Sequence, residues 1–422
     1  MSMLSILHAI SWRAPRPAPR REAIRQQTAQ PGRRTTADGE PALKIGLLID
    51  SLIGGGAERI VLNLAQTFQA MGHEVHVILV RDQVEHQVPA SIKRHALSQD
   101  GKLCSNRVLN KLMLAWALKR TVARIESNGQ AFDFFISNAE DADRISRIAG
   151  LENVYIRYRN SMLGYLNNKL GSKTGIKRLI RNLRWRMRFR TIYSGRDIIT
   201  VADALQREMV DEIGVRPKSI VTIYNPFDFA RIRQQGELGG RPLDEPYIVY
   251  VAKIEQRKRQ DVLLRAYAAS RSRHSHKLVL LGGTYTQSDR NWQTRIEGLI
   301  VELGLQERVI LAGFHTNPYP WIKHAALFAM SSDNEGLPTV LIESLILGTP
   351  VVSTDCPTGP REILNGPLTS FLSPCGDDAA LAHNIDRVIE GSYPAITSRQ
   401  LLRFQATYSA GRYLEHCAPI HH

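Results

Sequence analysis

The amino-acid sequence predicts an α/β protein built from two doubly wound, Rossmann-like domains that face each other across a cleft. Three observations lead there. From Lys44 onward, short aliphatic and β-branched runs alternate with helical stretches, the pattern of a parallel sheet. After a polar, glycine-containing stretch at Arg231–Asp244 the same alternation starts again. The 422 residues exceed what one hydrophobic core usually holds, so two cores are expected.

In order along the chain, residues 1–42 come first, with seven arginines, five prolines and little periodicity after Trp12, and they read as a disordered basic tail. The apolar Met1–Trp12 stretch is either a short interfacial helix or plain tail, since it lacks the charged start and cleavage site of a signal peptide. Strands are expected at Lys44–Asp50, Val75–Val80, Asp133–Ser137, Val154–Arg157, Asp197–Ala202 and Ile220–Tyr224. A second set follows at Tyr247–Ala252, Lys277–Leu281, Arg308–Ala312, Ala326–Met330 and Pro350–Thr354. The division expected is a first domain over 43–228, a second over 229–395, and a helical segment over 396–422 that packs back toward the first domain. Open α/β sheets bind ligands beyond the carboxyl ends of their strands, so a site is expected where the two units meet.

Hydrophobic residues at 43% and charged residues at 23% are ordinary for a globular chain. Cys104, Cys356, Cys375 and Cys417 lie far apart with no metal-ligand spacing, which points away from zinc or a disulfide scaffold and toward a reducing cytosol. No run approaches the roughly 18–20 apolar residues that cross a bilayer. The formal charge of +15 and a pI near 9.8 call for an anionic partner: nucleic acid, a membrane surface or a phosphorylated substrate.

Chemistry concentrates in two places. The first expected strand runs into Ser51-Leu52-Ile53-Gly54-Gly55-Gly56-Ala57-Glu58-Arg59 and then an amphipathic helix on which Ile60, Leu64 and Phe68 recur. Glycines let backbone amides approach a phosphate or sugar at a helix start, so Gly55 and Gly56 are candidates for donor binding; a tight structural turn is the alternative. The dinucleotide fingerprint is absent, because position 59 is arginine. The second place is Ser331–Glu343, directly after an expected strand. Pro338 suits a first helical turn, which leaves the amides from Leu337 to Val340 free for a diphosphate. Glu335, before the helix, can hold sugar hydroxyls, and Glu343, on it, a ribose diol. On this segment alone, the bland reading is a helix-dipole residue and a solvated carboxylate.

Gly348-Thr349-Pro350-Val351-Val352 and Gly359-Pro360-Arg361-Glu362-Ile363 follow that segment. With them, the chain resembles the family-4 retaining glycosyltransferases of the GT-B fold, from about Lys44 to the C-terminal region. Glu335–Glu343 matches the family's Glu-x7-Glu motif, Gly55, Gly56 and Glu58 its N-terminal glycine loop, and Ile223–Asp228 its interdomain segment. The resemblance implies that Glu335 engages the donor sugar, Glu343 the ribose, and Gly336, Leu337, Pro338, Thr339 and Val340 the phosphates and sugar. It implies a basic pair on the diphosphate: Lys258 matches, while Lys253 stands where arginine is usual. Lysine keeps the charge without the planar two-pronged contact. Glu335, Lys253 and Lys258 are therefore the catalytic candidates, acting where negative charge develops on the leaving diphosphate. The resemblance further implies retention of configuration without an identified protein nucleophile, a nucleotide-sugar that enters as substrate, and no essential metal or other cofactor. Asp141-Ala142-Asp143 is the one Asp-x-Asp candidate for a metal-dependent enzyme. In place of the family's N-terminal histidine the turn reads Tyr155–Ser161, so Arg159 and Asn160 are candidates for the acceptor, with exposed loop residues as the alternative. His73, at a helix-to-strand turn, reads as structural.

Residues 169–190 carry nine basic residues and no acidic one, with Ile176, Leu179, Ile180, Leu183 and Met187 at helical spacing. This basic amphipathic helix fits an anionic membrane, or else a packed helix with a solvated face. Aromatic and basic residues are not interleaved on any nucleic-acid module, so nucleic acid is not expected. The function expected is transfer of a sugar, hexosyl or N-acetylhexosaminyl, from a UDP-linked donor. The acceptor would be a lipopolysaccharide, lipid-linked or exopolysaccharide glycan at the inner face of the cytoplasmic membrane. A nucleotide-sugar epimerase of the same architecture and a non-catalytic, membrane-associated nucleotide-sugar-binding protein are the alternatives.

Overall fold

The computed structural model describes residues 35–36, 39–53, 56–85, 88–127, 129–164, 166 and 176–418. The basic tail over 1–34, Gly54 and Gly55 of the glycine loop, and Lys169 and Lys173 of the basic segment lie outside the described residues.

The described residues form two all-parallel sheets. The first contains β1 (Lys44–Ile49), β2 (Glu74–Leu79), β3 (Lys93–Ala96), β4 (Phe134–Ser137), β5 (Val154–Tyr158), β6 (Asp197–Thr200) and β7 (Ser219–Thr222), in spatial order β3-β2-β1-β4-β5-β6-β7. The second contains β8 (Tyr247–Val251), β9 (Lys277–Leu281), β10 (Val309–Gly313), β11 (Leu327–Met330), β12 (Val351–Thr354) and β13 (Leu372–Ser373), in order β10-β9-β8-β11-β12-β13. This is the doubly wound pair expected. Every residue of β1 is buried, because helices cover both faces of its sheet and leave no polar side for alternation. Ile45 pairs with Val75 on one side and Phe134 on the other, which places β1 in the middle.

Two strands escaped the sequence reading. β3 reads Lys-Arg-His-Ala, with no aliphatic run, and is an edge strand paired only with β2. β13 is two residues long.

The helix Gly56–Ala70 packs on one face of the first sheet together with the return helix Ala406–Cys417, where the rings of Phe68 and Tyr413 meet edge to face at 6.3 Å. On the opposite face, the helices Arg107–Ser127 and Glu140–Ile148 cover Leu48, Ile78 and Phe135. The chain crosses between units at Phe227, whose amide donates to Phe404 O at 2.8 Å while its carbonyl accepts from Ala406 N at 2.9 Å. Both sheets reverse their winding beside a chemically loaded loop. In the first sheet the reversal lies between β1 and β4, and in the second between β8 and β11. β1 feeds the glycine loop, β8 feeds Ala252–Lys258, and β11 feeds Ser331–Pro338. Ligands enter open α/β sheets at such switch points.

Candidate active site

The strand β11 ends at Met330, and the chain runs through Ser331–Pro338 into the helix Thr339–Leu347. Pro338, the N-cap, has no N–H to leave unpaired and keeps an extended backbone, so the helix starts one residue later than its place in a first turn would have it. Gly336 is required by its neighbour across the cleft, since a Cβ there would lie 2.1 Å from Arg159 O. The glycine thus lets the two units approach backbone to backbone.

Glu335 is buried, with Lys258 Nζ 2.5 Å from one carboxylate oxygen and Arg257 Nη1 3.2 Å from the other. Burial opposes its ionisation, but Lys258 and Arg257 outweigh burial and hold the carboxyl below its usual range. The basic turn Gln256–Lys258 is itself fixed from below. Tyr250 OH donates to Lys258 O at 3.1 Å, and Ser331 Oγ donates to the same carbonyl at 3.0 Å. Arg257 Nη2 also donates to Glu255 at 2.7 Å. The cations on Glu335 are therefore Lys258 and Arg257. Lys253 lies elsewhere, 3.1 Å from Asp289 and 3.6 Å from Glu255, with its ammonium over the Tyr285 ring.

Glu343, one turn and more into the helix, is also buried and accepts from Tyr319 OH at 3.0 Å. Arg59, from the glycine-loop helix of the other unit, reaches across the cleft, 2.9 Å from Tyr319 OH and 3.6 Å from Glu343. Burial dominates here and pushes the Glu343 carboxyl above its usual value against the pull of Arg59 and Tyr319. The two carboxylates of one motif are thus tuned in opposite directions.

A cavity of about 250 Å³ lies between these parts. Its walls include Gly56, Arg159 and Asn160 from the first unit, and Lys258, Glu335 and Leu337–Val340 from the second. Most of the residues singled out in the sequence meet here. Gly336, Glu343 and Lys253 stand outside that lining. A larger hollow of about 670 Å³ beside Asp355 and Arg361 offers no comparable chemistry, because Arg361 is paired with Asp355. Asp143 of the Asp-x-Asp tripeptide is buried and accepts from Ser137 Oγ at 2.6 Å. Among the described residues no group of three His, Cys, Asp or Glu side chains is placed to hold a metal ion. His73 is structural, as its Nδ1 accepts from Leu43 N at 3.1 Å.

Sequence reasoning missed Arg257, Arg59, Tyr319 and Arg157. Arg257 adjoins Lys258 and was visible as a third basic residue of the turn. Nothing local marks the other three, because their roles depend on partners 19 to 284 positions away.

The two doubly wound sheets thus meet at a cleft that holds a buried glutamate between two basic side chains at a helix start. Residues 54–231 match the model described as Glycosyltransferase Family 4, and residues 232–402 match Glycosyl transferases group 1. The chain belongs to this family of glycosyltransferases, and it is a glycosyltransferase. The epimerase and sensor alternatives lose their basis. A Campylobacter jejuni relative, N-acetylgalactosamine-N,N'-diacetylbacillosaminyl-diphospho-undecaprenol 4-alpha-N-acetylgalactosaminyltransferase, is 27% identical over 82% of this chain and 90% of its own length. Lipopolysaccharide 1,6-galactosyltransferase of Salmonella typhimurium is 26% identical over 44% of this chain and 50% of its own. Among solved structures, Anabaena HepE in complex with UDP and glucose superposes with a TM-score of 0.66 over 88% of this chain and 98% of that one, at 20% identity.

Proposed function

We propose that the protein transfers a sugar from a UDP-linked donor, with retention of configuration and without a metal, to a lipid-linked, lipopolysaccharide or exopolysaccharide acceptor. The observation that carries this is Glu335, held ionised by Lys258 and Arg257 at the start of the helix Thr339–Leu347 and facing Gly56 and Arg159 across the cleft. As the bond from the sugar's anomeric carbon to the diphosphate oxygen breaks, negative charge gathers on the leaving group. Lys258 and the amides at the helix start lie where fixed positive charge stabilises it. The acceptor oxygen bonds to the same face of the anomeric carbon, and its proton passes to the departing diphosphate. The Anabaena complex with UDP and glucose supports the donor class, and the diphospho-undecaprenol named for the Campylobacter relative supports a lipid-linked acceptor.

A membrane-side acceptor is supported by a second observation. On the helix Ile176–Tyr193, Leu179, Ile180, Leu183 and Met187 are exposed among Arg181, Arg184, Arg186 and Arg188. On Arg107–Ser127, Val108, Leu112 and Trp116 are exposed as well, Trp116 at 64%. Apolar side chains amid arginines fit an anionic bilayer interface. No helix among the described residues is long and apolar enough to cross a membrane.

The test is a panel of nucleotide-sugars incubated with a membrane lipid extract as acceptor source, with and without EDTA, reading UDP release and the anomeric configuration of the product. UDP release that persists in EDTA and gives a retained linkage is expected. Release that stops in EDTA defeats metal independence, an inverted product defeats retention, and release from none of the panel defeats the donor assignment.

A further inference from the structure

β5 delivers two arginines to the cleft, Arg157 within the strand and Arg159 two residues on, so that both side chains project to the same side of the sheet. Their surroundings are unusual for cations. Arg157 is only 3% exposed, and its hydrogen-bond acceptors are neutral: Asn225 Oδ1 at 2.5 Å and Asn138 Oδ1 at 3.4 Å. Its Nε has no hydrogen-bond partner, and no carboxylate among the described residues lies within 4.0 Å. Arg159 Nη1 is likewise buried without a hydrogen bond, and its one carboxylate neighbour within that distance is Glu58, at the 4.0 Å limit. Asp50 and Asp143 lie farther back, beyond ion-pair distance. Burial, opposed by Tyr413 and reinforced by the like charge of Arg159, pulls the basicity of Arg157 below the usual arginine value.

An unneutralised buried cation costs several kcal/mol, and two side by side add mutual repulsion. The opposite wall shows the contrast: Lys258 and Arg257 already share Glu335. The cavity lined by Arg157, Arg159 and Asn160 thus holds two guanidinium groups whose one nearby carboxylate among the described residues, Glu58, stands at the 4.0 Å limit. Guanidinium groups match phosphoryl and carboxylate oxygens in geometry as well as charge.

We infer that Arg157 and Arg159 form an oxyanion-binding subsite on the acceptor side of the cleft, which takes a phosphoryl or carboxylate group carried by the acceptor. This rests on the reading of the Glu335 wall as the donor site. It adds that the acceptor is anionic close to the hydroxyl that reacts. Arg157 also ties β5 to Asn225 in the interdomain segment.

The experiment is calorimetric titration of the UDP-saturated full chain with inorganic phosphate and, separately, with glucuronate, which distinguishes the two oxyanion sources. At least one should bind saturably to the wild type. Binding should weaken about tenfold in Arg159→Gln, the loss of one charge-assisted contact, with UDP affinity within twofold of wild type. Arg157→Lys, checked for folding by circular dichroism, should weaken it similarly, because an ammonium lacks the fork. The inference is overturned if neither anion binds the UDP-saturated wild type, or if Arg159→Gln binds as the wild type does. It is also overturned if UDP affinity falls in parallel with anion affinity, since the arginines would then serve the donor diphosphate. A wild type that fails to bind UDP sinks the donor reading instead, and the same comparison of Arg159→Gln with wild type is then read on the unliganded chain.

Discussion

The two walls of the cleft carry positive charge in opposite ways. On the second unit, Lys258 and Arg257 are neutralised in place by Glu335, and their turn is fixed by Tyr250 and Ser331. On the first unit, Arg157 and Arg159 have neutral amides and one carboxylate at 4.0 Å. A wall whose charges are already paired and hydrogen-bonded needs little rearrangement when charge develops in the reaction, which is the condition for strong electrostatic catalysis. A wall with unmatched charge gains by taking up an anion. The difference fits the proposal that the second unit orients the donor and stabilises charge while the first selects the acceptor.

The largest effect should come from removing the second wall's charge. Lys258→Ala removes the ammonium beside Glu335 and should lower kcat about 10²- to 10³-fold, as loss of one transition-state charge donor does. Lys253→Ala, whose ammonium is 3.1 Å from Asp289, should cost less than about tenfold. Steady-state kinetics of both variants decide the assignment, and equal losses would return Lys253 to the basic pair.

Next in size is the split between the two motif carboxylates. Glu335 is held below the usual range and Glu343 above it, so as pH falls Glu343 takes up its proton first. A protonated Glu343 is a poorer acceptor for ribose hydroxyls. The donor KM should therefore rise on the acid side of neutrality while kcat holds. Glu343→Gln should raise KM about tenfold at pH 7 and flatten that acid limb. A limb that survives in Glu343→Gln belongs to another group.

A smaller effect should follow from cutting a link that joins the walls beside Glu343. Arg59 is partly exposed, and its contacts with Tyr319 and Glu343 cross the cleft. Exposed pairs contribute little to stability, about 1 kcal/mol or less. Arg59→Ala should thus leave the melting temperature almost unchanged yet widen the unliganded cleft, read as a larger radius of gyration by small-angle scattering. An unchanged radius would show that the other contacts between the units set closure, among them the close approach of Gly336 to Arg159 and the hydrogen bonds of Glu362 with the Asp203 and Ala204 amides.

How much of this was legible in sequence depends on where each signal lies. The Glu335–Glu343 segment announces itself because strand end, proline turn and both carboxylates are contiguous. The buried strands are legible because parallel sheets demand unbroken aliphatic runs. Illegible were β3, whose edge position tolerates Lys93 and Arg94, and the location of Lys253, which depends on Asp289 thirty-six residues on. Arg59 and Arg157 acquire meaning only when Tyr319 and Asn225 are brought to them, and no local pattern encodes such a meeting.

The last test concerns the interior behind the first wall and should leave turnover within twofold. Asp143 is fully enclosed, and burial first, offset in part by the Ser137 hydrogen bond, raises its carboxyl to about 7; Asp50, raised by burial and by Asp141, reaches about 6. Both start from 3.8, so between pH 4 and 7 the folded chain holds more protons than the unfolded one. Stability must then fall as pH rises through that window. Asp143→Asn keeps an acceptor for Ser137 without a charge. It should melt roughly 5 °C above wild type at pH 8, converge toward it at pH 5, and show a shallower slope between them. Parallel melting curves across that range would mean that Asp143 is ionised and paired, and the first unit would then hold a matched charge behind Arg159 after all.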